Sequence, residues 1–155
     1  MRRFRATDQA AARVLVEEGL GEHFGYVDRS ANPDLVDIAS SYATAPNAFF
    51  VAEIDATLIG TTGLIVKGDA GRLVRVAVAR DYRRLGVATL MMNHVADFAG
   101  RARLTKLIAH TQPEWADAMG FYQSHGFTPY ARDSVDVHLH RLVAKREESD
   151  VAPAA

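Results

Sequence analysis

The residues from Val76 to Leu90, Val-Ala-Val-Ala-Arg-Asp-Tyr-Arg-Arg-Leu-Gly-Val-Ala-Thr-Leu, constrain the fold more than any other part of this chain. They read as an apolar strand, a polar turn carrying Arg80, Arg83 and Arg84, and then a helix opened at Gly86. Val76-Ala77-Val78 is apolar on both faces, which suits a covered central strand. A helix start leaves about four N–H groups unpaired and carries roughly half a positive charge. Phosphate binds well there if the backbone can be approached closely. Gly86 and Ala88 keep side chains out of that approach, and Arg83 and Arg84 add cationic donors. A lone glycine beside two arginines is more often a loop end with solvated charges. Strand, turn and helix in succession favour a phosphate cradle.

Apolar periodicity orders the remaining elements. Arg2–Arg5 predicts a short strand, and Thr7 or Asp8 an N-cap for a helix that ends near Glu18, before Gly19 and Gly21. Pro33 suits a first helical turn, with Leu35, Ile38 and Tyr42 behind it. Asp55-Ala56 separates two strand-like runs, 49–54 and 57–66, and a third follows over 71–78. Val87, Leu90, Met91, Val95 and Phe98 form the stripe of a helix ended by Gly100. A strand over 104–110, a helix from Pro113 to Ser124 and strands at 127–130 and 135–142 complete an α/β (α+β) domain. Its sheet is mixed and mostly antiparallel, with six or seven strands and about four helices.

Length and composition bound the function. A chain of 155 residues fits one domain, expected over 1–143, with a flexible tail over 144–155. With 18 basic and 19 acidic side chains the formal net charge is −1, so no cationic field exists to hold nucleic acid. Zero cysteine removes disulfides, thiolate metal sites and a cysteine nucleophile. No run of about 18 apolar residues predicts a membrane span, and the N-terminus lacks a signal-peptide pattern. A cytoplasmic domain without a membrane partner is expected. His138 and His140 share a strand face but have no evident third ligand, so no metal is expected. A P-loop is absent.

Arg83-Arg84-Leu85-Gly86-Val87-Ala88 resembles the Arg/Gln-x-x-Gly-x-Gly/Ala signature of the GCN5-related N-acetyltransferase (GNAT) family. Ala118-Met-Gly-Phe-Tyr-Gln-Ser-His-Gly-Phe, residues 118 to 127, is similar to that family's Ala-x-x-Phe-Tyr-x-x-x-Gly-Phe segment. The two stand in the family's order, and the element order fits from residue 1 to about 142. The resemblance implies a GNAT-like acyl-CoA N-acyltransferase fold and an acetyl-CoA cosubstrate. Its pantetheine would pair with the backbone at Val76, Ala77 and Val78, and its pyrophosphate would meet amides from Arg84 to Thr89. A main-chain N–H near Val76 or Ala77 would polarise the thioester carbonyl. Tyr122 matches the family tyrosine often assigned as general acid; the competing reading is a core aromatic beside Phe121 and Phe127.

Departures from the family pattern shape the rest. Where many relatives carry an asparagine, this chain has Trp115, which either meets the cofactor differently or walls the acceptor pocket. No strand glutamate is evident as a base, since Arg72 and Arg75 occupy that region. The candidates are His110 and Glu22-His23, with an ordered water chain as the alternative. Asp28, Asp34 and Asp37 lie where this fold usually builds its acceptor site. The implied activity is direct attack of a primary amine, small-molecule or peptide, on the thioester in a ternary complex. The alternative is a catalytically weak or inactive acyl-CoA-binding sensor or scaffold module. A homodimer is also expected to be possible, through edge strands.

Overall fold

Strand alternation builds a seven-stranded sheet in the computed structural model, which describes residues 1–145. Apart from its first two positions, the tail expected over 144–155 lies outside the described residues. Strands β1 (Arg2–Arg3), β2 (Ala48–Ile54), β3 (Thr57–Lys67), β4 (Ala70–Val78), β5 (Lys106–Thr111), β6 (Thr128–Arg132) and β7 (Val137–Leu142) lie in the order β1-β2-β3-β4-β5-β7-β6. Helices α1 (Gln9–Phe24), α2 (Ile38–Ser41), α3 (Val87–Arg101) and α4 (Ala116–Ser124) connect them. Each pairing is antiparallel except β4 with β5. This is the mixed architecture the periodicity predicts.

Alternation sends apolar side chains to both faces. Phe50, Leu64, Leu73, Leu107 and Leu139 pack under Met92, Val95 and Tyr122 of α3 and α4. On the other face, Phe49 and Val51 meet Ala12 and Val16 of α1 and Ile38 of α2. Asp55 and Ala56 take φ of 46° and 64°, the left-handed pair that matches hairpin twist between β2 and β3.

Several helix boundaries differ from those expected. Helix α1 runs through Gly19 and Gly21 to Phe24, and Gly25 closes it at φ 76°. Packing overrides glycine's poor helix propensity here, because Gly19 lies against Ala77 of β4. Asp8 does not cap α1 with its side chain. Its carboxylate accepts from Arg2 at 2.7 and 2.9 Å and from the Arg5 amide at 2.7 Å. Leu90, expected in the α3 stripe, is 56% exposed; Met91, Met92, Val95 and Ala99 are the buried face. Helix α4 starts at Ala116 rather than Pro113, because the Trp115 amide closes a turn onto the Gln112 carbonyl at 3.0 Å.

One irregularity sets the shape of the sheet. Thr61 pairs with Ala77 and Gly63 with Val74, so β4 carries one extra residue, a β-bulge. Arg75 sits in it at φ 54°, a conformation costly for a side chain with a Cβ. Thr61 Oγ1 donates to the Arg75 carbonyl at 2.9 Å. Arg75 donates to Asp34 at 2.6 and 3.0 Å and to Asn32 Oδ1 at 2.8 Å, and Tyr42 Oη donates to Asp34 at 2.9 Å. Gly63 makes room for this, since a Cβ there would stand 2.8 Å from Val74 and 2.9 Å from Tyr42.

Burial alone would raise the Asp34 carboxyl, but the bonds from Arg75 and Tyr42 outweigh it and hold it below its ordinary value of 3.8. Asp34→Asn is therefore expected to lose about 2 kcal/mol of stability in urea titrations, by leaving a half-buried guanidinium without its counter-charge. The stabilisation is complete above the unfolded value and is lost as pH falls through the lower folded value, so the gap between wild type and variant should close in acid.

Candidate active site

Strands β4 and β5 pair only over Ala70–Arg72 with Lys106–Ile108, although β4 continues to Val78 and β5 to Thr111. Beyond that point the two strands part. The Ala79 amide donates to the Ile59 carbonyl on β3 at 2.8 Å. Alternation back along β4 turns the amides of Val76 and Val78 towards the open side and that of Ala77 towards β3. A strand edge with free amides is thus presented where the sheet divides.

A cavity of about 510 Å³ lies against this edge. Val76 and Val78 form one wall, and Arg83, Arg84, Gly86, Val87, Ala88 and Thr89 form the end at the α3 start. Asp117, Ala118, Phe121 and Tyr122 of α4 close the far side. Eight of the ten positions expected at a cofactor therefore come together around it: Val76, Val78, Arg83, Arg84, Gly86, Val87, Ala88 and Thr89. Ala77 faces α1, and Leu85 is 71% exposed on the outside of the turn. Asp117, Ala118 and Phe121 were not among the expected residues; their i, i+1, i+4 spacing with Tyr122 on α4 is the signal that places them on one face.

The α3 start supplies the cavity's polar end. Its first intrahelical bond joins the Leu90 amide to the Gly86 carbonyl at 3.0 Å. Among the described residues no acceptor takes the amides of residues 84 to 89. Arg84 at φ 61° and Gly86 at φ 85° curl the loop, and a Cβ on Gly86 would meet nothing within 4 Å. Successive unpaired amides in such a curl form an anion-binding concavity. Arg84 makes no ion pair among the described residues. Arg83 instead donates to the Val78 carbonyl at 3.0 Å and to Glu22 at 2.6 Å. The guanidinium of Arg83 holds the Glu22 carboxyl below the usual range, with Arg80 3.6 Å away.

Tyr122 is buried, with its ring edge-on to Phe121 and Phe127 at 5.5 and 5.4 Å. Its hydroxyl has no hydrogen bond among the described residues, and burial pushes it up to about 12. Tyr122 is thus both a core aromatic and a cavity wall. His23 stacks on Trp115 with centroids 4.0 Å apart, and Phe24 meets the same indole edge-on at 5.3 Å. Glu22, His23 and Trp115 consequently gather around the last turn of α1.

His110 lies on the opposite face from Tyr122. Leu107 and Ala109 of β5 enter the α3 core, so alternation turns His110 to the α1 side. There it pairs across strands with His138. Asp28 and Asp37 cap the backbone at Ser30 and Ser40, and Asp34 is taken up by the Arg75 guanidinium and the Tyr42 hydroxyl, so all three carboxylates already have partners within the fold. His138 and His140 acquire no shared third ligand: among the described residues no three His, Asp or Glu side chains converge as a metal site. No helix among those residues is long and apolar enough to cross a membrane.

Comparison with known proteins agrees with this geometry. The profile of the Acetyltransferase (GNAT) family matches residues 11–127. The chain is 36% identical over 110 residues to a probable N-acetyltransferase camello of Xenopus tropicalis, covering 68% of this chain and 50% of that one. It is 30% identical over 109 residues to N-acetyltransferase 8B of Homo sapiens, covering 66% and 48%. The chain thus spans about half the length of these relatives. An acetyltransferase of the GNAT family from Staphylococcus aureus Mu50 superposes with a TM-score of 0.84 at 19% identity, over 92% of this chain and 97% of that one. The paia N-acetyltransferase of Thermoplasma acidophilum, solved with coenzyme A, gives 0.80 at 15% identity over 91% and 96%. The chain belongs to the GNAT acetyltransferase family.

Proposed function

We propose that this chain transfers an acetyl group from acetyl-CoA to a primary amine, small-molecule or peptide, by direct attack within a ternary complex. The observation that carries the reading is the row of unpaired amides at residues 84 to 89, set at the end of a cavity bordered by a free strand edge. A diphosphate fits those amides, and an extended pantetheine amide chain fits the edge at Val76 and Val78 as an added strand would. That a Thermoplasma acidophilum N-acetyltransferase of the same fold was solved with coenzyme A supports coenzyme A as the ligand.

Acetyl-CoA supplies an acyl carbon activated by a thiol leaving group. The Val76 amide, turned towards the division of the sheet, donates to the carbonyl oxygen as charge develops on it. The amine nitrogen forms the new bond to carbon as the carbon–sulfur bond breaks. His110 takes the proton that the ammonium must lose. Tyr122 donates a hydrogen bond to the departing sulfur. A phenol at about 12 holds its proton more tightly than a thiol near ~8.5, so Tyr122 stabilises the thiolate without becoming an anion itself. Without cysteine there is no thiol in the chain to carry the acetyl group. Trp115 and His23 form a wall on the acceptor side.

Thiol release from acetyl-CoA across a panel of primary amines tests the activity. Turnover with at least one amine is expected; binding of coenzyme A with no turnover across the panel would favour the sensor or scaffold module. Gly86→Glu is expected to weaken coenzyme A at least about tenfold by calorimetry, since it puts a side chain and a negative charge into the amide concavity and strains a positive φ. Unchanged affinity would remove the cradle. Tyr122→Phe is expected to lower kcat about a hundredfold with KM for acetyl-CoA nearly unchanged. Because Tyr122 titrates at about 12, the shape of the pH profile below about pH 10 should be the same in that variant.

A further inference from the structure

His110 and His138 stand opposite one another on β5 and β7. Their rings stack with centroids 3.9 Å apart and planes 15° apart. His138 is itself held, with Nε2 2.8 Å from Asp133 Oδ2. Asp133 is fixed in turn, because its other oxygen accepts from the amides of Val135 and Asp136 at 2.8 and 2.7 Å. Those two backbone bonds and the contact with His138 keep its carboxyl down at about 2. The carboxylate is therefore ionised at any working pH and its orientation is set by the β6–β7 turn.

This row ends where the sheet divides. His110 lies two residues beyond Ile108, the last β5 residue paired with β4. The charged and titratable groups that bear on it are His138 from β7, Arg72 from β4, and Asp133 and Asp136 from the turn. Positive charge on His138 or Arg72 opposes a proton on His110, while the two carboxylates favour one. Partial burial acts first, His138 next, and their sum holds His110 below the ordinary imidazole value.

We propose that His138, anchored by Asp133, is a positioning residue that keeps His110 neutral and in place at the division of the sheet, ready to accept a proton from an incoming amine. The proton leaves the ammonium for a free imidazole nitrogen of His110, and the nitrogen lone pair so released forms the bond to the acyl carbon. The role of His110 rests on the acetyl-transfer reading above. The coupling between the two rings does not, and it can be measured without turnover.

The test follows the His110 imidazole through a pH titration by NMR in the full chain, in wild type and in His138→Phe. Phenylalanine keeps a flat ring in the stack but can never be charged. The His110 midpoint is expected to rise by about half a pH unit or more in the variant. If the contact is only packing, phenylalanine preserves it and the midpoint stays where it was, which overturns the proposal. His138→Gln, uncharged and smaller, gives the same reading should the phenylalanine variant fail to fold. With an amine that is turned over, the acidic limb of kcat/KM should move up by the same amount; a limb that stays while the midpoint moves overturns the part played in catalysis. Failure of the whole amine panel with the midpoint shift intact would reject the acetyl-transfer reading and leave the coupling standing.

Discussion

Parting two adjacent strands in the middle of a sheet is expensive, because each leaves a line of backbone donors and acceptors without partners. Strands β4 and β5 part after Arg72 and Ile108, and the bulge at Arg75 is what makes this tolerable. One extra residue bends β4 towards β3 and keeps that ladder intact up to Val78, so only one edge of the strand is left open. The open edge borders a solvent-connected cavity rather than apolar core. The fold is held on one side so that it can be unpaired on the other, and the contacts of Arg75 with Asp34 and Asn32, with Tyr42 bonded in turn to Asp34, hold it.

The last turn of α1 spans this division. Glu22 grips Arg83, whose Nε also bonds the Val78 carbonyl, so the carboxylate is tied to the β4 side. His23 and Phe24 pack on Trp115, which stands just before α4 on the β5 side. A single helical turn thus touches both halves of the sheet. That turn is attached by an exposed ion pair on one flank and an aromatic stack on the other. Exposed pairs are weak and screened by salt, whereas ring stacking depends little on salt, so high salt loosens the β4 flank first.

Much of this was legible in the sequence, and the parts that were not share a cause. The positions of the strands along the chain and the Asp55-Ala56 turn follow from period-two patterning and local backbone preference, whereas the order of the strands in the sheet does not. The helix start opened by Gly86 beside arginines is legible in the same way, while Tyr122 is picked out by the resemblance of residues 118 to 127 to a family segment. All are local signals. Helix α1 was expected to stop at Gly19 because propensity is local, yet the helix packs on β4 there, with Gly19 against Ala77, and continues to Phe24. Arg75 offers no local sign of a bulge; its counter-charge at Asp34 lies 41 positions away. Glu22 and Trp115 could be picked out as unusual, but only the approach of α1 to both flanks gives each its neighbours. The His110–His138 stack depends on the β5–β7 register, which no spacing within either strand encodes.

The division of the sheet also explains why the two groups proposed to handle protons differ in character. Tyr122 projects from α4 into an apolar layer with Phe121 and Phe127, where an anion would be costly, so the phenol stays a donor. His110 projects from the opposite face into a row of His138, Asp133 and Arg72, where partial burial first and the charge of His138 next favour the neutral, proton-accepting ring. Strand alternation alone separates these environments: Ala109 belongs to the core and its neighbour His110 does not. In an unbroken sheet the backbone of β4 and β5 would lie between donor and acceptor. In the reaction proposed, opening the ladder would let a single acyl group be reached from both sides, and it leaves the Val76 amide free at the split. The chemistry proposed for this chain therefore follows from one missing stretch of strand pairing.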